Sequence, residues 1–465
     1  MNLLLVRLKP PKETIGLQHV MICEPLELEY AAAMVTQPGV TVQVLDMILE
    51  KRPLETHLKE IRPHLVGFTG YITHVNLIRE AARQVKALLP HCGVVVGGVH
   101  GEVLPEDFHD PAIDVILESH SLSAFQQLVT HLLALGQADP RTPLFPLKSP
   151  LAIQGIHQPG TRQPKETSFD YPLPLRQATA KYRHRYHYLF HRPCALMKTS
   201  FGCPYQCTFC FCRQITGGAY FTRPLDSVVA ELLSIEEEHI YIVDDDFLVS
   251  HQRVLDFCQA VDEKGIRKRY LVYGRADFIS RHPEVIRRFR QSGLEAVIVG
   301  LESSRPEDLD QYHKQTTLEE NERAVAILHQ YQVVVYATLI LDPAFTPADF
   351  RRLGRWLRNL SLVFVNLQPL TPLRGTPLYD SYRDQLTEPE AHVEKWDLAH
   401  LVLQPAAMSR RRFYLELLLL YIRVTLHPRS LFWLLKRYGL WESLRLSRGS
   451  SHITRQYLVK ILRGH

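Results

Sequence analysis

At 465 residues the chain is long enough for two or three domains, and its 46% hydrophobic content is ample for buried cores. A formal charge of +5 is small for this length and no long basic tract accompanies it, so charge does not imply nucleic acid. The 23 histidines are scattered without an H-E-x-x-H pair. No apolar run reaches the roughly 18–20 residues that span a bilayer, which predicts a cytoplasmic protein with contact at a membrane surface left open.

Asn2–Arg7 (NLLLVR) is a short apolar run stopped by Pro10 and Pro11, the pattern of a buried parallel strand. Thr41–Asp46 (TVQVLD), His64–Thr69 (HLVGFT), Gly93–Val96 (GVVV) and Asp114–Leu117 (DVIL) repeat it, and Leu26–Val35, Val75–Leu88 and Leu122–Leu135 between them have helical patterns. Strands alternating with helices predict a doubly wound, Rossmann-like α/β domain with a parallel sheet over residues 1–137. Ligands of such sheets bind beyond the carboxyl ends of the strands, here Asp46, Thr69-Gly70-Tyr71 and Gly97-Gly98-Val99-His100. The Gly97-Gly98 pair either lets a flat or bulky ligand approach the backbone or is merely a tight turn into the next helix.

From Gln137 to about Arg192 the composition changes. Prolines recur from position 140 to 174 with polar residues between, which reads as an extended surface linker over 138–192. Tyr182–His191 (YRHRYHYLFH) interleaves aromatic and basic residues. Such a stretch suits a nucleic-acid stacking surface or a cap over a following site, and the lack of a surrounding basic field favours the cap.

Residues 199–212 read TSFGCPYQCTFCFC. Cys203, Cys207 and Cys210 stand in a C-x3-C-x2-C spacing, so one loop can wrap three thiolates around a single inorganic centre. A structural zinc site wants four closed protein ligands, with Cys212 the available fourth; no second C-x2-C or histidine pair follows at a zinc spacing. A disulfide framework needs more than eight cysteines in 465 residues, and no secretory leader precedes them. A cubane iron-sulfur cluster held by three cysteines keeps one iron open for chemistry. Phe209 offers an aromatic face beside that iron, and Cys212 is read as a non-ligand.

Strand and helix patterns then resume: Ser227–Glu236 is helical, His239–Val243 is a strand ending in Asp244, Asp245 and Asp246, and Tyr270–Tyr273 precedes Gly274-Arg275-Ala276-Asp277. The three carboxylates suit a hard cation or a helix cap. Arg275 has a nearby partner in Asp277 for a plain salt bridge. Ala296–Gly300 (AVIVG) runs into Leu301-Glu302-Ser303-Ser304, and Val333–Leu341 and Leu362–Leu367 are two further apolar strands. Residues 388–465 are mostly helical in pattern; Phe413–Leu426 and Phe432–Tyr438 mix apolar, aromatic and basic residues, a composition that serves as core or as a membrane-surface face.

The C-x3-C-x2-C loop, with an aromatic before its last cysteine, resembles the signature of the radical S-adenosylmethionine (SAM) enzymes. That resemblance implies a 4Fe-4S cluster on Cys203, Cys207 and Cys210, with SAM chelated on the open iron and cleaved to a 5'-deoxyadenosyl radical. It implies a partial (β/α)6 barrel over 193–387 with the chemistry at the carboxyl ends of its strands. It further implies SAM contacts from Phe209, from Asp244 or Asp245 to the amino group, from Arg275 to the carboxylate, and from Glu302 and Ser303 in a G-x-E-S segment at the fourth strand.

The runs VVVGGVHGEVLPEDF and GFTGYITHV resemble the N-terminal cobalamin-binding domain of a large branch of that superfamily. Thr69, Gly70, Tyr71, Ile72, Thr73, Gly97, Gly98 and His100 are its candidate cofactor contacts. Asp46-Met-Ile-Leu-Glu-Lys-Arg lacks the Asp-x-His-x-x-Gly that supplies a lower cobalt ligand, a departure that fits either the many methylases of the branch that share it or a degenerate domain that binds no cobalamin. Trp396-Asp397-x2-His400 and the helical tail after 387 loosely resemble the lipid-acting members, including hopanoid C-3 methyltransferases. The implied reaction is methylation of an unactivated carbon of a lipid-like or other bulky substrate. Its implied partners are that small-molecule or lipid substrate and an electron donor such as flavodoxin or ferredoxin, with no nucleic acid. Two alternatives stand beside it: a radical SAM cyclisation, ring contraction or oxidation without methyl transfer, and a non-catalytic metal-binding module.

Overall fold

The N-terminal apolar runs form five successive strands of a seven-stranded sheet in the computed structural model, which describes residues 1–15, 20–118, 122–138, 144–147, 149–158, 161–162 and 169–463. In chain order the strands are β1 (Asn2–Arg7), β2 (Met21–Ile22), β3 (Thr41–Asp46), β4 (Leu65–Thr69), β5 (Gly93–Gly97), β6 (Val115–Leu117), β7 (Ile156–Gln158) and β8 (Thr161–Arg162). The sheet runs β3-β1-β4-β5-β6-β7-β8 and is parallel from β3 to β6, with β7 and β8 added antiparallel at one edge. β2 stands apart and pairs with β9 (His187–Tyr188).

The order in which successive strands are added reverses about β1, which lies between β3 and β4, so the topological switch point is there. Arg7 is in register with both Asp46 and Thr69, and Thr69 with Gly97, so the expected carboxyl ends line up at one level. Alternate residues serve the two faces: Leu4, Val6, Val66, Phe68, Val94 and Val96 pack on one, Leu3, Leu5, Val44, Leu65 and Val95 on the other. Helices Leu26–Val35 and Val75–Leu88 have the predicted bounds, and the third helix extends to Ala138.

The proline-rich stretch is not only a surface linker. Residues 139–143, 148, 159–160 and 163–168, with Pro140, Pro143, Pro159 and Pro164, lie outside the described residues, but Ile156–Gln158 and Thr161–Arg162 are sheet strands. Arg176 bonds to Glu231 at 2.7 Å and to the Leu196 carbonyl at 2.8 Å, and also to Glu24. Arg183 bonds to Glu24 at 2.8 Å and to Glu237 at 2.5 Å. The segment is therefore an electrostatic joint between the first sheet's helices and the second sheet. Tyr182 and Tyr186 are buried against Leu49, so these two rings are packed into the protein.

The second sheet contains β10 (Cys194–Met197), β13 (His239–Ile242), β14 (Arg269–Gly274), β15 (Leu294–Glu302), β16 (Val334–Leu341) and β17 (Phe364–Pro369), all parallel and in chain order. A two-stranded ribbon, β11 (Ser200–Phe201) with β12 (Phe221–Thr222), follows the first of them. Outward residues such as Ile240, Ile242, Val297 and Val299 pack under the covering helices, while Leu196, Tyr241, Leu271 and Ile298 face inward against Leu26 and Tyr30 of the first helix.

The tail departs from the expected helical pattern over residues 387–409, where the only helical piece among the described residues is a short 3-10 turn, Val393–Lys395. The Asp397 carboxylate accepts from Ile15 N–H at 2.6 Å and from the His400 ring at 2.8 Å, so the Trp396-Asp397-x2-His400 motif clasps the N-terminal domain. Asn76 donates to the Ala391 carbonyl at 3.0 Å, extending that strap. Helix Arg410–Thr425 buries Phe413, Leu417, Leu420 and Val424, the core reading of that run. A long final element, Pro428–Arg463, is broken at Gly439.

Candidate active site between the two sheets

The β11–β12 ribbon closes the base of the cysteine loop, and Gly202 turns the chain into it with φ +83°. A Cβ there would lie 2.1 Å from the Ala219 carbonyl oxygen, so only glycine lets the two limbs meet. Asp245 Oδ2 accepts the Gly202 N–H at 2.9 Å. At the loop's middle, Thr208 N–H donates to the Tyr312 carbonyl at 3.1 Å and the Thr208 carbonyl accepts from Leu378 N–H at 3.0 Å. The loop is thereby pinned to the connections following β13, β15 and β17.

Cys203, Cys207 and Cys210 are partly buried on this loop. Among the described residues no three cysteine sulfurs lie within 4.8 Å of one another. Sulfurs sharing one tetrahedral ion stand about 3.8 Å apart when each bond is about 2.3 Å. The spread donor set suits a polynuclear cluster, whose cysteines bind different irons, rather than a zinc knuckle. Burial pushes the Cys203 thiol up to about 12 and raises Cys207 too, whereas a hydrogen bond from Cys212 holds Cys210 below its ordinary range. Thiols so placed become ligands when metal charge replaces their protons.

Arg275 is buried after β14 and stacks on the Tyr205 ring, 3.8 Å from guanidinium to ring centre. Its Nε donates to Asp277 at 2.9 Å, the plain salt bridge, and Nη2 to the Lys314 carbonyl at 2.6 Å. Nη1 is left facing Cys207 Sγ at 3.8 Å. Glu302 ends β15 at φ +59° after a register shift, and its Oε1 accepts from the buried Lys314 Nζ at 2.8 Å. A Cβ on Gly300 would sit 2.2 Å from Glu302 Oε1 and 2.7 Å from Lys314 Nζ, so glycine stands there because an ion pair crosses above it. Phe209 meets Tyr312 edge to face at 5.8 Å.

Four expectations on this side meet a different geometry. Asp244 is fully buried and takes the Thr199 N–H, Thr199 hydroxyl and Ser200 hydroxyl, each at 2.6 Å, so its oxygens are spent on the chain around β11. Asp245 Oδ2 serves the loop through Gly202, and its Oδ1 stands 3.6 Å from Lys198 Nζ. Asp246, read from sequence as a helix-side residue, is the one left over: Oδ1 accepts from Leu248 N–H at 3.0 Å while Oδ2 is buried without a hydrogen-bond partner among the described residues. Burial pushes its carboxyl up to about 7, with Arg275 and Lys314 opposing. Ser303 is also spoken for, donating to Asp308 Oδ2 at 2.5 Å.

On the first sheet, Thr69 is buried at the end of β4, and a Cβ on Gly98 would lie 2.5 Å from its hydroxyl, so Gly98 meets the tight-turn reading. Gly97 has no neighbour nearer than 3.6 Å to such an atom and remains open. Gly70 leads to a short turn, Ile72–His74, in which Thr73 is buried with its hydroxyl 3.1 Å from His74 Nδ1, and Ile72 joins Phe209 and Trp396 in one apolar cluster. His100 is a correction: its Nε2 pairs with Asp107 at 2.8 Å, and Asp107 takes Arg374 at 2.7 Å, so it locks the two domains together.

Tyr71 is 61% accessible, yet burial raises its phenol's pKa, with Glu27, Cys23 and Tyr273 as its polar neighbours. Glu27 is exposed and likewise raised by burial. These accessible groups are electrostatic neighbours of one another between the two sheets, and we read the space they share as a chamber. Its walls are Arg7 and Tyr71 at the carboxyl end of the first sheet, Cys23 and Glu27 at the first helix, and Tyr273 on β14. Sequence reading missed Cys23, Glu27 and Tyr273, because each is isolated in its local pattern.

Comparison with known proteins agrees with this architecture. Residues 14–129 match the B12 binding domain and residues 197–357 the Radical SAM superfamily. The chain is therefore a radical SAM enzyme carrying a cobalamin-binding domain, and the cofactors of its two domains are a 4Fe-4S cluster, SAM and cobalamin. It is 27% identical over 401 residues to the hopanoid C-3 methylase of Methylococcus capsulatus, a match covering 85% of this chain and 75% of the relative. It is 22% identical to the anaerobic magnesium-protoporphyrin IX monomethyl ester cyclase of Cereibacter sphaeroides, over 84% of this chain and 67% of the relative. In fold it resembles the cobalamin-dependent SAM radical enzyme OxsB (TM-score 0.71, 15% identity, 98% of this chain and 72% of that one). It also resembles the methyltransferase TsrM of Kitasatospora setae (TM-score 0.67, 18% identity, 98% and 99%).

Proposed function

We propose that the protein methylates an unactivated carbon of a polycyclic, hopanoid-like lipid. What carries the reading is that the likeness to the hopanoid C-3 methylase spans 401 residues, well beyond the two family-matched segments. When bound, the cluster and SAM supply a hydrogen-abstracting radical, and cobalamin carries the methyl group. The chain's own part is to hold these groups and keep water out. Cys203, Cys207 and Cys210 seat the cluster; Arg275 Nη1 beside Cys207 suits the SAM carboxylate, and the unpartnered Asp246 oxygen suits its amino group. Tyr71 and the open face of Gly97 support the corrin ring. The aromatic segment 182–191 and the first helix close the chamber from the side. An external one-electron donor of the flavodoxin or ferredoxin class completes the turnover.

The test is an anaerobic reaction of the reconstituted protein with trideuteromethyl-labelled SAM and a hopanoid-containing lipid extract. A lipid product carrying all three deuteriums, formed with 5'-deoxyadenosine, is the expected result. Deoxyadenosine with an altered but unlabelled product would replace this reading with the cyclase type, which the magnesium-protoporphyrin relative favours.

A lipid substrate also requires access. No helix among the described residues is long and apolar enough to cross a membrane. The last element nevertheless exposes Phe432 at 69% and Trp441 at 81%, with Leu440 and Leu444, amid Arg429, Lys436 and Arg448. We assign these exposed apolar and basic groups, which lie on both sides of the break at Gly439, to the surface of an anionic bilayer. In sedimentation with vesicles, binding should increase with anionic lipid. Phe432→Ser with Trp441→Ser should weaken it by at least about tenfold, since burying one large apolar side chain contributes about 1.5–3 kcal/mol. Equal recovery of both proteins would remove the assignment.

A further inference from the structure

We propose that His191, His239 and Glu295 form a second metal site, remote from the cysteine loop, that takes a zinc-like divalent cation at the amino-terminal end of the barrel. His191 lies just ahead of β10, His239 opens β13 and Glu295 is the second residue of β15. The cysteine loop is at the opposite end of these strands: His239 to Ile242 alone climbs about 10 Å. Neither the cluster nor the chamber uses these residues.

The geometry is that of ligands around a point. His191 Nδ1 lies 3.3 Å from Glu295 Oε2, His239 Nδ1 lies 3.2 Å from the same oxygen, and the two nitrogens are 3.3 Å apart. An ion about 2.0–2.1 Å from each would subtend angles of about 105°, close to tetrahedral. As a purely hydrogen-bonded cluster the arrangement is poor, because Glu295 Oε2 is buried and has no contact of hydrogen-bond geometry among the described residues. It is the only set of three or more histidine, cysteine or carboxylate groups among the described residues whose ligand atoms converge within 4.8 Å.

The surroundings orient the donors as outer partners of a metal site do. His191 Nε2 bonds to the Tyr336 hydroxyl at 3.1 Å, which fixes the ring and leaves Nδ1 pointing at the shared centre. Glu295 Oε1 takes Arg269 Nη1 at 3.4 Å, so the other oxygen is the free one. Two imidazoles and one carboxylate are a zinc-type donor set, with a fourth position for water. Such an ion would tie the chain entering β10 to β13 and β15, where the barrel wall is built from strands distant in sequence.

The test uses full-length protein with its cluster reconstituted and cobalamin bound, so that the cysteines are already occupied. After dialysis against chelator-buffered zinc, zinc and iron are counted together by elemental mass spectrometry, and thermal midpoints are recorded with and without zinc. Wild type should hold one zinc per chain beyond its iron and melt higher when zinc is present. Glu295→Gln and His239→Ala should each lose the zinc and the midpoint rise while keeping full iron content, which also shows that they fold. Zinc below stoichiometric level in wild type, or retained equally by both variants, would overturn the proposal.

Discussion

Cys203→Ala, Cys207→Ala and Cys210→Ala will each yield protein that neither assembles the iron-sulfur cluster nor releases 5'-deoxyadenosine from SAM. All three thiols sit on one loop held by Asp245, Tyr312 and Leu378, so removing a ligand leaves the loop's frame intact and takes away only a sulfur. Far-ultraviolet dichroism should therefore be unchanged while iron content and the visible absorption of the cluster fall to background. Cys212→Ser is the control: its thiol hydrogen-bonds to Cys210 rather than standing in the three-cysteine spacing, and the variant should keep its iron and its SAM cleavage. Loss of the cluster in Cys212→Ser together with its survival in Cys210→Ala would exchange the two assignments.

The second large effect is on stability. Glu302→Ala should destabilise the protein by about 3–5 kcal/mol, because it leaves the Lys314 ammonium buried without its anion. Burial works against that charge, but Glu302 and the nearby Cys207 outweigh it, so Lys314 stays protonated. Pairing the change with Lys314→Met should restore most of the stability, since two apolar side chains make no demand for charge compensation. The pair also separates structure from chemistry. A double variant that regains its denaturant midpoint but releases no deoxyadenosine would place the ion pair in SAM binding; full recovery of both would confine it to holding β15.

The strand ends were legible because buried parallel strands are continuous apolar runs that stop at polar residues, and Asp46, Thr69 and Gly97 fall at one level in the sheet. The cysteine loop was legible because its chemistry is written in three residues of fixed spacing. The Asp244–Asp246 run shows where a linear reading stops. Ile240 and Ile242 face outward and Tyr241 inward, so period-two alternation already turns Asp244 away from the barrel interior, a signal available in the sequence. Asp246 lies past the strand in a turn closed by Leu248, where alternation no longer holds. Lys314 gave no signal at all, being a single lysine in a loop twelve residues from its partner. The strands Ile156–Gln158 and Thr161–Arg162 were hidden by the prolines around them, which mark breaks but do not forbid a short antiparallel pair at a sheet edge.

The strap over the N-terminal domain has a bearing on how the protein is made. Thr14 bonds to the Glu394 carbonyl 380 residues away, and Gln456 donates to Thr14 across a separation of 442. At about 5–20 residues per second on the ribosome, roughly 20–80 s pass between the emergence of the first partner and the arrival of the second. Through that interval the first sheet can fold with its carboxyl edge uncovered. A bulky corrin thus meets an open shelf early in synthesis and a walled chamber afterwards, so cobalamin supplied during expression should load more completely than the same cobalamin added to finished protein.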